Sequence, residues 1–218
     1  MQNLIPCRFH IEVEAVLKSE GMRATKQRLD IWDELCSTDS HRDIETILID
    51  LKKKITQCID AGIKLFQIRI KSIDILLENE LVIKDIISSV HASDGLILIN
   101  DFFHLVDRFN FDGVHIGQSD GDISLIRMII KNKLIGLSCY NSHMLTKNVI
   151  NADYVSVGAF NTSVTKKNIS FIPKNFYKEL INIQKPLCLI GGINDSNFNK
   201  ANSLNFDMIA ISLSLIHI

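Results

Sequence analysis

A parallel α/β fold of the barrel type is what this sequence predicts, and three observations carry that expectation. Short apolar runs recur from residue 65 onward, amphipathic stretches of helical period separate them, and nine of the ten glycines lie at or after Gly62, just before the runs begin. Apolar strands alternating with amphipathic helices indicate a parallel sheet that is covered on its outside. Strands are expected at 65–69, 96–100, 113–116, 134–138, 154–157, 187–190 and 208–212. Helical stretches are expected to begin near Asp74, Phe102, Asp122, Ser142, Lys174 and Asn194. Seven strands are one fewer than the eight of a (β/α)8 TIM-type barrel, so the fold class is that barrel without an evident first strand or final helix.

The chain before Gly62 reads differently, as helices joined by short polar turns. Val13, Val16 and Leu17 mark a first helix that Gly21 can stop. Thr25 can cap a second, with Leu29, Ile31, Trp32 and Leu35 on its apolar face. From Asp43, the positions Ile44, Ile47, Leu48, Leu51, Ile55, Cys58 and Ile59 keep a spacing of three and four, which predicts one long amphipathic helix. The organisation expected is therefore a helical extension over 1–42 and a barrel over 43–218.

Composition narrows the function classes. A chain of 218 residues with 46% hydrophobic content can bury a full core. No apolar run approaches the roughly 20 residues of a spanning helix, and the opening residues lack the basic start and apolar stretch of a secretion signal. Five scattered cysteines without a Cys-x-x-Cys pair signal neither a disulfide framework nor a zinc site. A reducing cytoplasm fits best. A net charge of −1 argues against a general grip on nucleic acid, which needs clustered basic surface.

In a barrel, chemistry gathers at the carboxyl ends of the strands, and here polar residues do so repeatedly. Gln67, Arg69 and Lys71 alternate along the end of the first run. A glutamine with two cations can hold a polar heterocycle and a polyphosphate, although solvated charges on an edge strand would read the same. Asn100 and Asp101 end the second run, and Asp120 follows the third after Gly117-Gln118-Ser119. Two carboxylates from neighbouring loops suit Mg²⁺, which takes one or two protein carboxylates plus phosphates. Taken singly, Asp101 could be a helix cap and Asp120 a turn residue. Ser138 closes the fourth run, and the loop with Ser163, Thr165 and Lys166 offers hydroxyls and a cation to a phosphate. Gly191-Gly192 leads toward a helix after the sixth run, where backbone N–H groups favour an anion.

In this order the pieces resemble the thiamine phosphate synthase family, from about residue 54 to the end. Gln67-x-Arg69-x-Lys71 is similar to the family's Gln-Leu-Arg-Glu-Lys strand, and Ile99-Asn100-Asp101 to its Ile-Asn-Asp. Asp112-Gly113-Val114-His115-Ile116-Gly117-Gln118-x-Asp120 is similar to its most recognisable stretch. Gly136-Leu137-Ser138, Ser163-x-Thr165-Lys166 and Ile190-Gly191-Gly192-Ile193 complete the series. The resemblance implies a transferase that joins hydroxymethylpyrimidine diphosphate to thiazole phosphate, giving thiamine phosphate and pyrophosphate. It implies that Gln67 contacts the pyrimidine, and that Arg69, Lys71, Asn100 and Lys166 contact the diphosphate. It further implies Asp101 and Asp120 as Mg²⁺ ligands and Ser138 beside the reacting groups. Ser163, Thr165 and Gly192, with backbone near Ile211 and Ser212, would receive the thiazole phosphate. Arg69, Lys71, Ser138 and Lys166 are the implied catalytic set. Small-molecule substrates are the partners implied, and a homodimer is compatible with the sequence.

A shorter likeness, over about 12–51, joins Leu17-Lys18-x-x-Gly21-Met22-Arg23-x-Thr25-x-Gln27-Arg28 and Asp39-x-His41-x-Asp43 to the opening of ferric uptake regulator-type repressors. The segment corresponding to their DNA-reading helix has no counterpart here, so the helices are read as a cover. Two other functions stand beside the transferase. One is a thiazole tautomerase, which resembles the synthase but uses a histidine where this chain has Tyr140. The other is a degenerate barrel that binds a thiamine precursor, or regulates, without turnover.

Overall fold

A computed structural model describes residues 44–117, 119–140, 149–161, 180 and 183–211. The chain divides into two compact units, and the one spanning Lys52–Leu213 carries the sheet. The expected helices over 11–18 and from Thr25, the starts near Ser142 and Lys174, and His41 lie outside the described residues.

Helix α1 is Ile44–Asp60, the long helix that the spacing of three and four predicts. Strand β1 follows at Leu65–Ile68, then helices α2, Ile73–Glu78, and α3, Glu80–His91. Strand β2 is Leu96–Asn100, followed by a 3₁₀ turn at Phe103–Leu105 that runs into the short helix α4, Val106–Phe109. Strand β3 is Gly113–Ile116, helix α5 Ile123–Ile130 and strand β4 Leu134–Cys139. A second 3₁₀ turn, Val149–Asn151, precedes β5, Tyr154–Val157. Strand β6 is Leu187–Ile190, helix α6 Phe198–Asn202 and strand β7 Met208–Ala210.

All seven strands are parallel and ordered β1 to β7 as in the chain, the topology of a TIM-type α/β barrel wall. Successive residues of a strand point to opposite faces, and the register sorts the side chains. One face carries Ile97, Ile99, Val114, Ile116, Ile135, Leu137, Val155, Val157 and Leu189, all buried and all apolar. The other face begins apolar, where Leu98, Tyr154 and Cys188 cluster with Leu134, Met208 and Ala210. It turns polar toward the carboxyl ends, at Asn100, His115, Ser138 and Ser156.

At the opposite end, a repeated device sets the register. Asp112, Asp153 and Asp207 each stand one residue before a strand, and each Oδ2 accepts the backbone N–H of a residue on the preceding strand: Ile97 at 2.8 Å, Ile135 at 2.7 Å and Leu187 at 2.8 Å. Two of these carboxylates take a further partner, His91 Nε2 at 2.9 Å for Asp112 and Arg127 Nη2 at 2.5 Å for Asp153.

The helical stretch expected near Asp74 begins at Ile73 and is divided at Asn79, whose side-chain amide donates to the Ile75 carbonyl at 2.8 Å and ends α2. One expectation needs correction: no helix begins at Asn194. The Asn194 Oδ1 accepts the Ser196 N–H at 3.0 Å and Asn197 Oδ1 accepts the Asn194 N–H at 2.9 Å. These side-chain turns delay α6 to Phe198.

Candidate active site at the carboxyl ends of the strands

Strand β1 stops at Ile68, so Gln67 is its last residue on the mixed face while Arg69 and Lys71 stand in the loop that follows. Gln67 Nε2 donates to Asn100 Oδ1 at 2.6 Å. That bond uses the Asn100 oxygen and turns its amide hydrogens toward the next residue, the carboxylate of Asp101.

Asp101 leaves β2 with φ at +66°, in the left-handed region that Asp tolerates better than most residues. Its N–H donates to the His115 carbonyl at 2.9 Å, so the turn is tied to the end of β3. Asp120 closes the loop after β3, where its Oδ2 accepts the Gly117 N–H at 2.6 Å. Partial burial raises the pKa of Asp101, and the adjoining carboxyl of Asp120 raises it further, while Asn100 and Arg69 act to lower it. Two carboxyls so placed repel, and a divalent cation between them would relieve that repulsion. The residues therefore fit a magnesium ion. Among the described residues no group of three or more His, Cys, Asp or Glu side chains forms a metal cluster.

His115, within the Asp112–Asp120 stretch, joins β3 to both β4 and β5. It is 6% exposed, its Nε2 lies 2.9 Å from Ser138 Oγ, and its Nδ1 lies 2.8 Å from the Tyr154 hydroxyl. Burial pushes its pKa down to about 4, with Asp120 acting upward and Arg69 downward. Arg69, Asp101, Asp120 and His115 therefore lie within one electrostatic neighbourhood. A signal for His115 existed in the sequence: a polar residue alternating with Gly113 on an otherwise apolar strand.

That depressed pKa has a measurable consequence. A ring held neutral in the fold contributes stability that is complete above about pH 6.5, the unfolded value, and is lost as pH falls toward about 4. Urea unfolding at pH 7 and pH 4.5 should show His115→Gln losing roughly 2–3 kcal/mol less than the unaltered chain over that interval. Equal losses would remove His115 as the acid-sensitive group.

The remaining sequence-predicted residues divide. Gly192, with φ at +65°, follows β6, and its carbonyl accepts the Asn197 amide at 2.8 Å. It stands six positions before α6, so the helix N-terminus expected to favour an anion there is not at Gly192. Ile211 is exposed immediately after β7. Tyr140 follows β4. Ser163, Thr165, Lys166 and Ser212 lie outside the described residues.

Fold and site together define a TIM-type α/β protein with a polar group of Gln67, Asn100, Asp101, Asp120, His115 and Ser138 at its strand ends. The thiamine monophosphate synthase family model matches residues 38–215. A thiamine-phosphate synthase of Pelagibacter ubique is 39% identical over 158 residues, covering 69% of this chain and 73% of that one. One of Staphylococcus saprophyticus is 30% identical over 185 residues, covering 81% and 84%. Among solved structures, a thiamine phosphate pyrophosphorylase of Pyrococcus furiosus shares the fold at a TM-score of 0.65 and 23% identity, covering 73% of this chain and 78% of that one. The chain belongs to the thiamine monophosphate synthase family.

Proposed function

We propose that this chain is a transferase that condenses hydroxymethylpyrimidine diphosphate with thiazole phosphate, giving thiamine phosphate and pyrophosphate. The observation that carries the reading is the linked group Gln67, Asn100 and Asp101 beside Asp120 and Arg69, in a member of this family. In the reaction, the methylene C–O bond of the pyrimidine breaks and its electron pair leaves with pyrophosphate. The thiazole nitrogen then forms the new C–N bond.

Gln67 orients the pyrimidine through its carbonyl oxygen. Arg69, Lys71, Asn100 and Lys166 bind the diphosphate and take up the negative charge that grows on it, the form of catalysis in which preorganised charge matters most. Asp101 and Asp120 hold Mg²⁺, which supplies positive charge to the leaving oxygens when bound. Ser138 sits beside the reacting groups. Ser163, Thr165, Gly192 and the backbone near Ile211 and Ser212 hold the thiazole phosphate and so place its ring nitrogen. Tyr140, in place of the tautomerase histidine, favours the transferase over the isomerase.

The proposal assigns 43–218 to the catalytic domain and 1–42, which lie outside the described residues, to an extension with no DNA-binding role. No helix among the described residues is long and apolar enough to cross a membrane. The reading places the chain in the cytoplasm, as a monomer or a homodimer.

The deciding experiment incubates purified chain with both precursors and Mg²⁺ and follows thiamine phosphate and pyrophosphate. Asp101→Asn and Asp120→Asn should each raise the Mg²⁺ concentration needed for half-maximal rate by about tenfold or more, the scale of one lost charge contact. No product from the unaltered chain, with precursor binding by calorimetry, would establish the non-catalytic alternative.

A further inference from the structure

We propose that the outward face of α5 is the contact between two copies of this chain, which set these helices antiparallel across a two-fold axis.

The case begins with composition. Six of the eight residues of α5 are Ile, Leu or Met. A helix on the outside of a barrel wall needs one apolar stripe, the one that meets the sheet, and its opposite face is ordinarily charged or polar. Ile123, Ile126 and Ile130 fill the inner stripe and are buried. Leu125, Met128 and Ile129, at a spacing of three and four, share the outer face and are 59%, 73% and 54% exposed. Ile150, 81% exposed, stands in the adjoining 3₁₀ turn. That turn is tied to α5, because Asn151 Nδ2 donates to Ser124 Oγ at 2.9 Å and Arg127 Nη2 donates to the Asn151 carbonyl at 3.0 Å. A lone exposed apolar side chain is ordinary on a protein surface. Four on two elements bound together mark a face that another molecule covers.

The charges at its ends select that molecule. Asp122 caps the start of α5, its Oδ1 accepting the Ser124 N–H at 2.8 Å, and Lys131 caps the end. Both are exposed, and neither enters an ion pair among the described residues. The face is thus apolar in its middle, acidic at one end and basic at the other. A surface of that kind complements itself when a second copy is turned end for end, the requirement of a two-fold contact. The acidic end of each helix then meets the basic end of the other, and the two helix dipoles are opposed favourably. A parallel pairing would bring like charges together. The contact lies on the outer side of the wall and takes no part in the proposed reaction, so its test does not depend on activity.

Sedimentation equilibrium of the full chain in about 50 mM salt should show a dimer with Kd of about 10 µM or tighter, within the range of specific protein contacts. Met128→Glu places a charge in the apolar middle and should raise Kd at least about 100-fold. Its far-ultraviolet circular dichroism and Tm should stay unaltered, because the side chain projects away from the core. The end charges supply a second measurement. Asp122→Asn keeps the helix cap and loses the charge, so it should weaken the unaltered dimer roughly threefold to tenfold. In a Lys131→Glu background the same change should tighten the dimer by a similar factor, since it then removes a repulsion. A chain that stays monomeric at about 100 µM would overturn the proposal, leaving the face to another segment of the chain or to a different protein. A dimer that survives Met128→Glu, or one that Asp122→Asn weakens equally in both backgrounds, would overturn it as well.

Discussion

Arg69→Ala should lower kcat by about 10²-fold or more while leaving the fold intact, the scale of removing one preorganised stabiliser of developing charge. The side chain is exposed in the loop after β1, so truncation should leave the core packing intact. Its charge nevertheless reaches both Asp101 and His115, which places the guanidinium beside the proposed diphosphate site. Charge on the leaving group grows only as the C–O bond breaks. The loss should therefore fall on kcat more than on KM. Arg69→Lys should recover part of the rate, because it keeps the charge and loses the planar fork. Single-turnover measurement of pyrophosphate release is the check, and an unchanged rate would take Arg69 out of the mechanism.

Gly113→Ala should be the most damaging change to stability, costing about 4 kcal/mol or more, or preventing folded protein from accumulating. Strands β3 and β4 pair with Gly113 opposite Leu134. A Cβ at 113 would lie 2.0 Å from the Leu134 carbonyl oxygen and 2.7 Å from its nitrogen. The obstacle is backbone in the middle of the sheet, which cannot rotate aside as a side chain can. Urea unfolding followed by circular dichroism measures the effect, and a midpoint equal to that of the unaltered chain would refute this account of the β3–β4 approach.

The strands were readable because each is a short apolar run bounded by turn residues, and a sheet buried on its outer face demands that pattern. Strands β2, β3, β5 and β6 fall on the expected residues. What escaped was governed by side chains that compete with the helix for backbone groups. Nothing in the run of apolar residues from Ile73 to Val90 marks Asn79 as a break, and only its bond to the Ile75 carbonyl reveals one. The same competition by Asn194 and Asn197 removed a helix start that the glycine pair suggested. Within the site, Gln67, Asn100, Asp101 and Asp120 were legible because polar residues ending apolar strands have few other reasons to be there. The role of His115 was not, because it depends on a tyrosine that joins it across two strands through the passage left by Gly136.

The aspartates that precede β3, β5 and β7 carry a consequence for how this chain can change. Each pins its strand to a neighbour from the end farthest from Arg69 and Asp101. Parallel strands so anchored cannot slide when the loops above them lengthen, shorten or exchange residues. Substrate preference can drift at one rim while alignment is guarded at the other.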